Sequence, residues 1–249
     1  MKWIVIFLAL IGLGAVVIFR QPTSSTTSLP SSETEMSTKK VVPPDTTVTI
    51  GNRTLGIYSQ PITSSLILIP NFDEKKAASK ILEEHTCQYG VNGGFYTKDY
   101  KPIGLFITNG QQHSAVTSDP TFNAFLVNID GKLSITRSVP DSTATFALQS
   151  GPYMTPTITL RLRNDSAERR MMVARTTDNH WYFIAMTEIN NTFSGPNLAD
   201  VPKILGDLPI DVAEALNLDG GSASAFYSAS GVHLGELTLI GSLLCGNSQ

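Results

Sequence analysis

The pattern of apolar and polar positions divides the chain into three stretches. Trp3 to Phe19 is an unbroken run of seventeen apolar or glycine residues bracketed by Lys2 and Arg20, at the short end of what spans a bilayer as a helix. Gln21 to about Pro44 is rich in Ser, Thr and Pro and nearly free of large apolar side chains, a spacer that builds no core. From Thr46 onward, short β-rich runs alternate with turn residues. The expected organisation is an anchor or signal over 1–20, a Ser/Thr/Pro-rich linker over 21–45 and one folded domain over 46–249. The apolar run meets Arg20-Gln21-Pro22 without a small-x-small cleavage site, which favours an uncleaved transmembrane anchor over a cleaved signal. One basic residue on each side sets orientation only weakly. An anchor followed by a tether places the domain outside the cytoplasm, at the cell surface or in the periplasm, with the membrane as one partner.

Within the domain, Thr47–Ile50, Thr54–Tyr58 and Ser65–Ile69 read as strands. Asp73–Thr86 reads as a helix capped by Asp73, with Ala77, Ala78, Ile81 and Leu82 on one face. Phe122–Asn128 and Lys132–Thr136 flank Asp130-Gly131, and Met171–Thr176 and Trp181–Thr187 flank Asp178-Asn179, giving two hairpins. Lys101–Thr108 ends on Asn109-Gly110, another hairpin signal. Arg161–Arg170 is a charged loop. A second helix is expected from Ser194-Gly195-Pro196-Asn197 to about Leu205, capped by Ser194 or Asn197. Glu214–Leu218, Phe226–Tyr227 and Leu237–Leu244 supply closing strands. Many strands and two helices that do not alternate regularly predict an α+β fold, a single domain of mostly antiparallel strands with a few helices.

Charge and cysteine content narrow the chemistry. The formal net charge is −3, and without the first twenty residues, which hold Lys2 and Arg20 and no acid, 16 basic residues face 21 acidic ones. That balance gives no support for binding nucleic acid through its phosphates. Cys87 and Cys245 match no zinc spacing and are compatible either with one disulfide in an oxidising compartment or with two buried thiols. His85 two residues before Cys87 has no further ligands near it in sequence, so no metal site is assigned. The chain has no G-x-S-x-G elbow, no P-loop and no dinucleotide fingerprint.

The most informative stretch is Ala215-Leu216-Asn217-Leu218-Asp219-Gly220-Gly221-Ser222-Ala223-Ser224. A carboxylate at a strand end, followed by two glycines, lets a ligand approach bare backbone, and successive N–H groups there form an anion-binding concavity. Taken alone the same residues make an ordinary Asp-Gly turn. Three further elements accompany it: Val91-Asn92-Gly93-Gly94-Phe95-Tyr96 with Pro102-Ile103-Gly104-Leu105, then Leu148-Gln149-Ser150-Gly151-Pro152, then Arg170-Met171-Met172-Val173-Ala174 before the Asp178-Asn179 turn. These resemble, in order and at plausible spacing, the NGGFF, Q-x-G-P, R-T-A-x-G and A-x-N-L-D-G-G-x-S elements of the phosphodiester glycosidase domain family, whose bacterial members are often labelled exopolysaccharide-related. The resemblance runs from about Thr46 to the C-terminus. Met171 and Ala174 depart from the small residue and glycine of the family strand, and Ser222 replaces a frequent third glycine.

The resemblance implies a hydrolase that cleaves the glycosidic bond of a sugar-1-phosphodiester in a cell-surface glycan or glycoconjugate. Such a reaction builds oxocarbenium character on the sugar while a phosphomonoester leaves, so holding the phosphate matters more than strong acid assistance. Arg170 is the candidate phosphate clamp, because a guanidinium meets phosphate oxygens bidentately. Asp219 is the candidate nucleophile or base, and Glu188, by position, the second of the two carboxylates that glycosidases commonly use. Asn92, Gly93, Gly94, Gln149, Gly151, Asn217, Gly220, Gly221 and Ser222 form the candidate substrate-binding set. No cofactor is assigned, and a divalent cation on the phosphate stays open. The alternatives are a non-catalytic glycan-binding or envelope scaffold module of the same fold, and a phosphodiesterase that breaks the P–O bond.

Overall fold

A computed structural model of the chain describes residues 42–141 and 143–247. The apolar run Trp3–Phe19 and the spacer as far as residue 41 lie outside the described residues. Among those described, no helix is long and apolar enough to cross a membrane.

The chain opens with β1 (Thr46–Ile50), β2 (Arg53–Pro61), β3 (Ser65–Pro70), α1 (Ala78–Glu84), β4 (Tyr89–Asn92), β5 (Phe106–Thr108) and β6 (Gln111–Ser114). Next come β7 (Ala124–Ile129), β8 (Lys132–Thr136), β9 (Phe146–Ser150), β10 (Tyr153–Met154), β11 (Arg170–Thr176) and β12 (Trp181–Glu188). A 3-10 turn at Leu198–Asp200 leads into α2 (Val201–Gly206) and then β13 (Val212–Asn217). A second 3-10 turn at Gly221–Ala223 precedes β14 (Phe226–Tyr227), β15 (His233–Leu234) and β16 (Ser242–Asn247). The strands form three sheets, ordered β1-β2-β12-β11-β13-β10, β15-β14-β4-β16-β3 and β6-β5-β9-β7-β8. Neighbouring strands run antiparallel, as in the β11–β12, β16–β4 and β7–β9 pairs. The α+β architecture of antiparallel strands with few helices is the expected one.

Strand alternation explains the layering, because successive side chains leave a strand on opposite faces. On β11 and β12, Met171, Val173, Phe183 and Ala185 enter the core shared with Leu68, Val91, Phe106, Leu148 and Phe226 of the other two sheets. Their neighbours Met172, Ala174, Ile184 and Met186 pack instead on Leu198, Val201, Ile204 and Leu205 around α2. The six-stranded sheet is therefore buried on both faces, which accounts for the near-continuous apolar runs of β11 and β12. The second sheet buries its other face, through Ile69, Leu243 and Cys245, on Ala78, Ile81 and Leu82 of α1.

The Asp-Gly and Asn-Gly hairpins form where expected, with Asp130, Gly131, Asn109 and Gly110 all at positive φ. The helices are shorter than their patterns. Asn71 donates from Nδ2 to Lys76 O (2.8 Å) and accepts from Lys76 N (2.8 Å), and Lys75 sits at φ 52. This side-chain ring holds the segment after Asp73 out of a helix, so α1 starts at Ala78 and Asp73 caps nothing. Its first free donor, Ala78 N, is satisfied by Glu236 Oε1 at 2.7 Å. Neither Ser194 nor Asn197 caps the second helical stretch. Asp165 does so from the charged loop, accepting from Leu198 N (2.8 Å) and Ala199 N (2.9 Å). The closing strand begins at Ser242 and not Leu237, because Leu237 N and Thr238 N both donate to Ser222 O.

Cys87, just past α1, is bonded to Cys245 on β16, with the Cα atoms 5.6 Å apart and 158 residues between them in sequence. A cross-link over so long a loop removes much chain entropy from the unfolded state. Reduction, or Cys87→Ser, is expected to lower stability by about 2–5 kcal/mol, read as a lowered midpoint in urea unfolding of the oxidised and reduced protein. An unchanged midpoint would show that the link contributes nothing.

Candidate active site

The site forms where β13 runs out of the first sheet. Leu218 N still donates to Met171 O (2.8 Å), continuing the sheet by one residue, and the chain then passes to the second sheet. Asp219 N donates to Gly93 O (3.1 Å), and Asn92 Nδ2 donates to Asp219 O (2.8 Å). The backbone of Asp219 is thus held by the end of β4, and its carboxyl group is left to face outward. Gly220 N donates to Asp219 Oδ1 (2.9 Å), and Gly221 N to Arg169 O (3.1 Å).

Asp219 opens onto a cleft of about 380 Å³ lined by Tyr96, Lys98, Tyr100, Gly220, Ser222 and Thr238, among others. Tyr96 and Tyr100 stand with ring centroids 5.2 Å apart and planes tilted by 31°. Tyr96 donates to Leu239 O (2.5 Å), and Lys75 lies 4.6 Å from the Tyr100 ring centroid. Tyr100 has φ 56, an uncommon backbone for a bulky residue, held by its N–H to Thr97 O (2.9 Å). Together the two rings form an aromatic wall of the kind that packs against the apolar face of a sugar. Lys98 is the cation on the same rim.

Protein atoms behind the Asp219 carboxyl group strip it of hydration, and burial pushes its pKa up to about 7, against the stabilising Gly220 N–H and with added repulsion from Glu168. Glu168 is the carboxylate whose charge adds to that rise, although it does not line the cleft itself. It lies under the glycine turn: Gly221 has φ +64, and a Cβ there would fall 2.6 Å from Glu168 Oε2. Only glycine combines that backbone with that proximity. Burial, helped by the charge on Asp219 and by Tyr100, pushes the Tyr96 phenol up to about 12.

The remaining expected site residues are distributed differently. Asn92 is buried, and its amide is engaged by Asp219 O, Gly93 O and Ala225 N. Gln149 is also buried, accepting from Leu105 N and Thr117 N and donating to Thr117 O and Phe122 O. It ties three loops together, and at Gly104 (φ +83) a Cβ would sit 2.5 Å from its Oε1. Both amides turn inward, away from the cleft. A Cβ on Gly93 would collide with Ser242 Oγ, one on Gly94 would crowd Leu148, and one on Gly151 would collide with Thr121 O. Asn217 donates to Gly151 O (3.0 Å), while its buried Oδ1 has no partner among the described residues. Gly220 and Ser222 line the Asp219 cleft.

Arg170 is buried behind the turn and not in the Asp219 cleft. Its Nε donates to Pro196 O (3.2 Å) and its Nη2 to Ser166 O (2.5 Å), with Asp165 Oδ1 at 3.4 Å. Burial lowers its pKa from the usual guanidinium value. Arg169 is buried as well, donating to Thr192 O, Ser224 O and Gly235 O. Glu188 ends β12 opposite Leu55, and the Asp219 cleft does not include it. Sequence patterns do not single out Glu168, Lys98 or Tyr100. The available signal for Glu168 is its place directly before the arginine pair. Among the described residues, no three His, Cys, Asp or Glu side chains converge to hold a metal ion.

Comparison with known proteins matches residues 85–240 to the phosphodiester glycosidase family. The chain belongs to the phosphodiester glycosidase family. The fold is shared with the catalytic domain of zebrafish N-acetylglucosamine-1-phosphodiester alpha-N-acetylglucosaminidase, auto-inhibited by its pro-peptide, at a TM-score of 0.59 and 14% identity over 84% of this chain and 88% of that one. A hypothetical protein from Synechocystis is similar at a TM-score of 0.53 and 13% identity, with 80% of this chain covered but only 60% of that chain. A putative exported protein from Burkholderia pseudomallei K96243 gives 0.54 and 10%, covering 79% and 74%. No curated protein matches the chain. At these identities the likeness to solved structures speaks for the fold, and the family membership rests on the matched residues.

The raised pKa of Asp219 carries a sign for stability. The folded state retains a proton that the unfolded chain releases near the ordinary aspartate value of 3.8, so between that pH and about 7 the folded state binds more protons. Stability from this group therefore falls as pH rises through that window. Asp219→Asn removes the effect: the variant is expected to match wild type near pH 4 and to gain on it steadily up to pH 8. Urea midpoints of both proteins across that range test this, and parallel curves would refute it.

Proposed function

We propose that the domain hydrolyses the glycosidic bond of a sugar-1-phosphodiester carried on a cell-surface glycan or glycoconjugate, held outside the cytoplasm by its N-terminal anchor. The observation that carries the reading is the Asp219 carboxyl group. It opens into a cleft walled by Tyr96 and Tyr100, burial pushes its pKa up to about 7, and Glu168 lies behind the turn at Gly221. Family membership supports the reaction class. The zebrafish relative is named for action on an N-acetylglucosamine-1-phosphodiester, a bond of the same class.

In the proposed reaction the sugar ring lies on the tyrosine wall with its anomeric carbon toward Asp219. The bond from that carbon to the phosphate oxygen breaks, and its electron pair leaves with the phosphate. Lys98 offsets the charge on the departing phosphomonoester. A phosphate is already a competent anion, so the leaving group needs no proton. The positive charge that develops on the sugar is stabilised by the paired carboxylates. Water attacks the anomeric carbon and gives its proton to ionised Asp219. A base whose pKa lies near the working pH is well matched to that role.

Rate should therefore rise with pH and level off above about 7 as Asp219 ionises. Asp219→Asn is expected to lose about 10²-fold or more in kcat. Glu168→Gln should both slow the reaction and move the rising limb to lower pH, since Glu168 helps to hold the Asp219 pKa up. The measurement is product analysis of the full-length chain with a sugar-1-phosphodiester. Free sugar and phosphomonoester support the reading, and sugar phosphate as product would assign P–O cleavage instead. Full turnover by Asp219→Asn, or glycan binding by a wild type that turns nothing over, would overturn it.

A further inference from the structure

A second concavity, of about 500 Å³, lies on the other side of the glycine turn and is lined by Arg161, Arg163, Arg170, Asp165, Ser166 and Thr121, among others. We propose that it is an anion site, and that it takes a further phosphoryl group of a chain that carries several. The inference rests on the glycosidase reading for what occupies the neighbouring cleft.

Three arginines line one concave surface in a protein whose net charge is negative. The single carboxylate among them, Asp165, is already engaged inward. Besides its contact with Arg170, it accepts from Leu198 N and Ala199 N at the start of the helical stretch. Asp165 and the nearby Glu168 offset the charge of Arg170, and Arg161 and Arg163 supply the free positive charge of the surface. Arg170 is pre-oriented by Pro196 O and Ser166 O through Nε and Nη2, and its Nη1 makes no hydrogen bond among the described residues. A guanidinium fixed on one side, with donors spare on the other, has little rotamer freedom left to lose when an anion arrives. Arg161 and Arg163 are exposed and act from the rim.

Position ties this site to the Asp219 cleft. The place of a Cβ on Gly220 lies 3.7 Å from Arg170 Nη1, and Gly220 itself lines the Asp219 cleft. Gly220 and Arg170 are thus neighbours, each lining one of the two concavities. A chain with phosphate at repeated intervals can present one phosphodiester to Asp219 while its next phosphate meets the arginines. A neutral glycan bearing one phosphodiester would leave this basic surface unused.

The test is calorimetric titration of the full-length chain, in metal-free buffer, with inorganic phosphate and with tripolyphosphate as probes. The wild type is expected to bind tripolyphosphate about tenfold or more tighter than phosphate, and Arg161→Gln/Arg163→Gln to lose about tenfold of that affinity, as expected when charge-assisted bonds to phosphate are removed. Hydrolysis of a substrate with a single phosphodiester should be unchanged in the double variant. A double variant that binds tripolyphosphate as the wild type does would overturn the site. Equal wild-type affinity for the two probes would overturn the multiply phosphorylated chain in favour of a free-phosphate site. Because binding is read without turnover, failure of the glycosidase reading would show separately, as an inactive wild type that still binds the probe.

Discussion

The Asn92 side chain is the contact on which the site depends. One amide bridges two sheets: it donates to Asp219 O as that residue leaves the first sheet, and it accepts from Ala225 N beside β14 in the second. Asp219 N completes the clamp by donating to Gly93 O. The backbone on both sides of the carboxylate is therefore fixed before any ligand arrives, as electrostatic catalysis requires of its charged groups. The amide is fully buried, so its bonds form without competition from water, and losing one partner would leave the others unsatisfied.

The same logic runs through the polar residues of the other glycine-flanked elements in this chain. Gln149 closes the loops around Gly104, Thr117 and Phe122 with four hydrogen bonds. Ser150 and Asn217 lock the start of β10 to the end of β13. Arg169 gathers three backbone carbonyls from separate loops. A loop that carries chemistry at the top of stacked sheets has few ladder partners of its own, and its backbone groups must be met by side chains. Buried amides and guanidinium groups are suited to that task because each presents several donors or acceptors at once.

This explains which parts of the molecule could be read from its sequence. The hairpins at Asp130-Gly131, Asn109-Gly110 and Asp178-Asn179 depend on local backbone preference, and the sequence declares them. The double-sided burial of β11 and β12 shows in their unbroken apolar runs. Helix starts were misplaced because their caps are remote: Asp165 serves Leu198 and Ala199, and Glu236 serves Ala78, across distances in sequence that no local pattern registers. At the site, Asp219 and its glycines drew attention only through the three elements that accompany them, because alone they spell an ordinary turn. Glu168 was not legible, because its partnership with Asp219 exists only through the fold. Glu188 was the nearest substitute that strand position offered. Arg170 was legible as important, but the chain alone does not reveal that its guanidinium faces away from the Asp219 cleft.

The turn at Gly220-Gly221 joins these threads. Each residue there is confined from behind: a side chain on Gly220 would approach Arg169 O at 2.9 Å, and one on Gly221 would run into Glu168. With both side chains absent, the chain packs closely enough to bury the Asp219 carboxyl group, the main cause of its raised pKa, with a smaller contribution from Glu168, and Arg170 reaches the same turn from behind. Bulk at either position would push the turn off Arg169 O and Glu168 and loosen the packing that keeps the carboxyl group from water. The glycines are thus needed less for the flexibility they confer than for the distances they permit.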